Sequence, residues 1–241
     1  MIPLKNLPLA RLTLGLLAAI SVFTMTGPAS ATGMQPETSV IVLDEGQGET
    51  SLNVKNTDAK PALLYSSIEN IPEDSEALVV LTPPVVRVEA GDTQLVRFIS
   101  QAKEPVKTQR LKRVLFEGIP QSEGGGAKID VTVRQNLPLI VHPKGLAQNR
   151  EPWTLLKWST EGGELKVAND SPYVVRLAQK VHLKPANTEV ELPRTYILPG
   201  ESLSVPAAGA NAGASTVTLY PATVYGYSVD SYDAPLAAAS R

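Results

Sequence analysis

Ala127-Lys128-Ile129-Asp130-Val131-Thr132-Val133-Arg134-Gln135-Asn136-Leu137-Pro138-Leu139-Ile140-Val141 reads as one strand in two halves. In the first half Ile129, Val131 and Val133 share one face and Asp130, Thr132 and Arg134 the other. The second half is nearly continuous apolar sequence, as a strand covered on both faces requires. About 15 residues is long for a small sandwich, so the second half belongs inside while the first is free to stand at an edge. Alternate aliphatics exposed on an edge are an aggregation hazard, and a protein that keeps them has a partner to cover them. The plainer alternative, that all three point into the chain's own core, satisfies the alternation equally well.

Working outward, strand candidates stand at 39–43, 51–56, 62–68, 77–81, 85–88, 93–99 and 111–119 before this long one. Asp44-Glu45-Gly46, Asn56-Thr57-Asp58, Glu89-Ala90-Gly91-Asp92 and the Gly-rich stretch 122–126 separate them with the residues that hairpins need. Seven or eight strands at this spacing predict a sandwich. The pattern dissolves at 142–152 and resumes with candidates at 155–158, 164–169, 173–183, 195–198, 203–205, 215–219 and 223–229. The Ala/Gly stretch 207–214 reads as a loop and 233–241 as a frayed tail. No sustained period of 3.6 residues follows residue 31.

Lys5 and Arg11, an apolar run from Leu12 to Phe23 and Ala29-Ser30-Ala31 form an export signal, cleaved before Thr32. The apolar run is short of the roughly 20 residues that a spanning helix needs. The expected division is 1–31 signal peptide, 32–143 first domain, 144–152 linker, 153–235 second domain and 236–241 tail. With 22 basic and 24 acidic residues in the whole chain, nucleic acid finds no cationic surface and membrane insertion no basis. The chain has no cysteine, which excludes disulfide frameworks.

Thr82-Pro83-Pro84-Val85-Val86-Arg87-Val88-Glu89-Ala90-Gly91, followed by Gln94-Leu95-Val96-Arg97-Phe98, resembles the PapD-like periplasmic pilus chaperones of the chaperone-usher pathway. Phe116-Glu117-Gly118-Ile119-Pro120, the strand ending in Val141-His142-Pro143, and Asn169-Asp170-Ser171-Pro172-Tyr173 follow in that family's order. The resemblance implies an all-β chain of two immunoglobulin-like β-sandwich domains in an angled, boomerang arrangement. It also implies a function: the last strand of the first domain complements pilus or fimbrial subunits, which are then delivered to an outer-membrane usher. Counting back from Pro143, the donor side chains fall on Val133, Val131 and Ile129. A periplasmic location and pilus subunits and usher as partners follow from the same resemblance; in the free chaperone the exposed edge is expected to be covered by self-association with a second copy or by a mobile loop.

The sequence departs from the family at two places, the carboxylate anchor and the residue before the linker proline. The usual anchor for the subunit's terminal carboxylate is an Arg on the first strand and a Lys on the donor strand; here the Lys position is Pro138 and the Arg falls near residues 38–40, where there is none. Arg134, Asn136 and Lys144 are the nearest groups able to hold a carboxylate, Arg134 having the bidentate geometry. His142 occupies the place of an Arg that ties the domains by a salt bridge, and reads as a surface or packing residue. These departures point to a divergent branch.

No thiol, no Gly-x-Ser-x-Gly and two distant His leave no basis for an enzyme, a metal site or a cofactor. The competing reading is a secreted immunoglobulin-like adhesion or carbohydrate-binding module, for which Trp153, Trp158 and Tyr220, Tyr225, Tyr227 and Tyr232 are the available aromatics.

Overall fold

The computed structural model describes residues 33–121, 133–207, 213–223 and 229–237. The first part contains β1 (Met34–Pro36), β2 (Ile41–Asp44), β3 (Glu49–Asn56), β4 (Ala62–Asn70), β5 (Val79–Thr82), β6 (Val85–Val88), β7 (Thr93–Ser100), β8 (Arg110–Pro120) and β9 (Arg134–His142). They form two sheets, ordered β1-β3-β7-β5 and β2-β9-β8-β4-β6. Period-two patterning supplies the core between them: Leu52 and Val54 of β3, Val96 and Phe98 of β7, Val114 and Phe116 of β8, and Leu137, Leu139 and Val141 of β9 form one buried cluster. The chain enters in one sheet, β1 antiparallel to β3, and crosses at residues 37–40 to the other, where β2 lies parallel to β9.

The second part contains a 3-10 turn (Pro152–Leu155), β10 (Lys157–Glu161), β11 (Glu164–Asn169), β12 (Val175–Arg176), β13 (Lys180–Lys184), β14 (Thr188–Glu191), β15 (Tyr196–Ile197), β16 (Glu201–Pro206), β17 (Thr216–Leu219) and β18 (Tyr232–Ala237). One sheet runs β14-β13-β17-β18-β10-β11-β16, and β12 pairs with β15. Trp153 and Trp158 are buried in this core with Val167, Leu183, Val217 and Leu219, so neither is available to stack on a sugar. The expected all-β, two-sandwich fold is what the chain adopts.

Three expectations about elements need correction. Residues 233–237 are not frayed: β18 sits between β17 and β10 with Ala234 and Leu236 buried. The stretch 173–183 is not one strand. After Arg176 the chain crosses at 177–179, where Leu177 and Ala178 bond Thr195 and Tyr220, and it rejoins the larger sheet as β13. Within 155–158, the beginning closes a 3-10 turn and only the end belongs to β10.

Both sandwiches end a strand with the same device. Asn56 at the end of β3 donates Nδ2 to Lys60 O and Val88 O and accepts the Asp58 N–H at Oδ1. Asn169 at the end of β11 donates to Tyr173 O and Ile197 O and accepts the Ser171 N–H. Each buried amide ties the main chain of the following turn to a carbonyl on a distant segment.

Candidate functional site

β9 has two different halves. It pairs with β8 from Arg134 to Val141, but β2 joins its other side only at residues 139–142. Among the described residues, 134–138 therefore carries a ladder on one side only, an open template for another strand. From Leu137 to His142 every residue is buried, whereas Arg134 and Asn136 are exposed. Val133, immediately before β9, is 59% exposed. Ile129 and Val131 lie outside the described residues, as do Tyr225 and Tyr227.

Register fixes what surrounds this edge. Arg113 and Glu117 of β8 lie opposite Pro138 and Arg134 of β9, and Tyr65 of β4 lies opposite Glu117. On that same outward face Leu63, Tyr65, Val85 and Ile119 are exposed, an apolar strip at the end of the sheet away from Leu111 and Ile140.

The three sequence-selected polar groups do not converge. Arg134 donates Nε and Nη2 to Glu117 Oε2 at 3.0 and 2.8 Å, and this pairing holds its pKa above the usual value. Asn136 accepts the Arg113 guanidinium twice, Nε at Oδ1 (2.6 Å) and Nη2 at its main-chain oxygen (2.8 Å). Lys144 is exposed beyond the other end of β9, its main-chain N–H 3.3 Å from Glu45 Oε2. The eight residue-to-residue steps from Arg134 to His142 alone span roughly 26 Å at about 3.3 Å each, so one ligand oxygen cannot meet all three.

Sequence reading missed the residues that join the two sandwiches here. Gln109 accepts the Val174 N–H at Oε1 (2.9 Å), and its Nε2 lies 2.9 Å from His142 Nδ1. His142 Nε2 is 2.9 Å from Leu146 O, which can only accept, so the proton is on Nε2 and Nδ1 accepts from Gln109. The expected surface or packing role for His142 is thus half right: the ring is buried, but it is also a hydrogen-bond relay. Around it, Leu111 and Ile140 pack with Val40, Ile71 and Val174. Glu73 pairs with Arg194 and accepts Tyr196 Oη at 2.8 Å, and burial followed by that bond pushes the Tyr196 phenol up to about 12. Glutamine and arginine carry no sequence signal of such roles, because strand parity does not say which of Lys112 and Arg113 points out.

Residues 33–147 match the family described as pili and flagellar-assembly chaperone, PapD N-terminal domain, and residues 151–232 the pili assembly chaperone PapD, C-terminal domain. The chain is 43% identical over 203 residues to the uncharacterized fimbrial chaperone YhcA of Escherichia coli K12, covering 84% of this chain and 90% of that one. It is 27% identical over 190 residues to the chaperone protein FimB/FhaD of Bordetella pertussis, covering 72% and 75%. In fold it is similar to a chain from the Salmonella enterica complex of the SafA pilin with the SafB chaperone, at a TM-score of 0.71 and 20% identity over 86% of this chain and 98% of that one. The two-sandwich architecture, the matches to both family halves and the likeness to fimbrial chaperones along most of the length agree: the chain belongs to the PapD-like fimbrial chaperones, a non-enzymatic class that acts in pilus assembly.

Proposed function

We propose that this chaperone binds pilus subunits by adding its own strand to theirs in the periplasm, holds them from premature assembly, and passes them to an outer-membrane usher. The observation that carries this reading is the one-sided ladder of residues 134–138, next to an exposed Val133 and in line with the alternating Ile129, Val131 and Val133. Each buried aliphatic would contribute roughly 1.5–3 kcal/mol and each new ladder hydrogen bond about 1 kcal/mol. A one-residue slip would present Asp130 and Thr132 instead, so the alternation sets the register. An export signal at 1–31 and domains divided near 144–152 belong to the same reading.

The test is co-expression with the exported proteins encoded beside it, followed by mass spectrometry of what is recovered, with a Val131→Glu variant alongside. A stoichiometric small subunit that the variant loses supports strand donation. A wild-type chain recovered clean, with neighbouring pilin-like proteins soluble without it, refutes it.

A further inference from the structure

Odd-numbered positions from 129 to 141 fall on one face of the strand. Leu137, Leu139 and Val141 of that row fill the core of the first sandwich, and Val133, exposed, leads on in the sequence to Val131 and Ile129. Gln135 is the one polar residue in the row. It is half-buried, and its Nε2 donates to Met34 O at 2.7 Å, crossing from one sheet to the other.

The acceptor is a fixed post. Met34 is buried, and Gly118 of β8 lets it approach so closely that a Cβ there would stand 3.1 Å from Met34 Cγ. Gly33, just before it, accepts the Thr57 N–H at 2.9 Å. The bond from Gln135 uses one donor of the carboxamide; its other hydrogen and its oxygen need water or a further partner.

A strand added along the open edge can slip in two ways. A one-residue slip reverses its faces, but a two-residue slip keeps them. The backbone allows the second, because the edge stays open through residue 138, until β2 pairs at Leu139.

On the strand-addition reading above, on which this rests, we propose that Gln135 is a specificity-determining residue that stops a guest strand from sliding two residues toward the core. In the stopped register the guest takes Ile129, Val131 and Val133. Slid by two, it takes Val131, Val133 and Gln135, and an apolar guest core must strip water from a carboxamide. A slide the other way exchanges Val133 for Ala127, which offers a single methyl. The aliphatic row is bounded by too little apolar surface at one end and by a polar group at the other, and the bond to Met34 O holds that group in place.

The experiment uses the absence of cysteine from the chain. Thr132→Cys, on the opposite face from the aliphatic row, supplies one thiol, and the pilin that wild type captures on co-expression is made as a set of single-cysteine forms along its pairing edge. Disulfide yield reads the register, because the bond needs Cβ atoms about 3.5–4.5 Å apart and a two-residue slide moves them by about 7 Å. With Gln135 in place, one pilin position is expected to exceed the position two residues away by about tenfold or more. Gln135→Leu and the unbranched Gln135→Met are expected to add a second maximum two residues along, of comparable yield. Gln135→Asn, polar but one methylene shorter, is expected to keep a single one. An unshifted single maximum in both apolar variants overturns the stop and leaves strand donation intact, and a lower melting point beside it marks a merely structural glutamine. A second maximum in Gln135→Asn overturns the stop as well. Loss of capture by both apolar variants does the same, since removing a stop adds a register and takes none away. If wild type captures no pilin, strand donation fails and the stop falls with it.

Discussion

Gln109 Oε1 accepts the main-chain N–H of Val174 at 2.9 Å, so a side chain of the first sandwich completes the backbone hydrogen bonding of the second. The same carboxamide donates to His142 Nδ1, and Gln109 N–H donates to Pro172 O at 2.8 Å. Replacing Gln109 with Leu strands a buried N–H and a buried imidazole nitrogen, at about 1–3 kcal/mol each. Urea unfolding is expected to show that loss. A Gln109→Leu, His142→Leu double-mutant cycle is expected to give a coupling of about 0.5–3 kcal/mol, since the two residues share one relay.

Lys112 is fully buried, its Nζ 2.9 Å from Asp74 Oδ1 and 2.8 Å from Asp74 O, while Arg110 grips the same carboxylate from Nε at 2.7 Å. Asp74→Ala leaves a buried ammonium without its counter-charge and is expected to cost about 3–5 kcal/mol. Lys112→Met together with Asp74→Leu is expected to recover much of that loss.

Asp74 also sets a pH dependence. Burial pushes its carboxyl up, but hydrogen bonds from Arg110 and Lys112 outweigh burial and hold it below the ordinary aspartate value. A carboxyl depressed in the folded state stabilises above its unfolded pKa of about 3.9, and that stability is lost as pH falls through the folded value. Urea midpoints measured downward from pH 5 are expected to fall more steeply for wild type than for Asp74→Asn.

Val133 is exposed, so Val133→Glu is expected to change stability by less than about 0.5 kcal/mol while lowering recovery of a co-expressed pilin. Unchanged recovery with unchanged stability would remove Val133 from the binding strand. Arg134→Ala breaks an exposed ion pair with Glu117 and is expected to leave the melting point where it is. Any loss of pilin recovery in that variant would then report a direct contact.

Asn169→Ala removes two buried hydrogen bonds, to Tyr173 O and Ile197 O, and is expected to destabilise the second sandwich by about 1–3 kcal/mol, visible in thermal unfolding. Asn169 is fully buried with its amide nitrogen engaged twice, and Ser171 bonds its Oδ1, so Asn169-Asp170-Ser171 serves as a turn.

The sequence alone determined whatever depends on neighbours a few residues away. The limits of β6 and β11 are legible because period-two patterning and adjoining turns act locally, and the two halves of β9 are legible because burial on both faces changes composition. Tertiary structure decided what depends on distant partners. β18 is a poor strand by composition and is held by β17 and β10, the latter more than 70 residues away. The stretch 173–183 divides because its two ends pair in different sheets. The interdomain relay and the burial of Arg113 and Arg176 are equally non-local: Gln109, Arg113 and Arg176 have polar side chains like any others in the sequence, and only packing Leu111 and Ile140 against Val174 withdraws them from water.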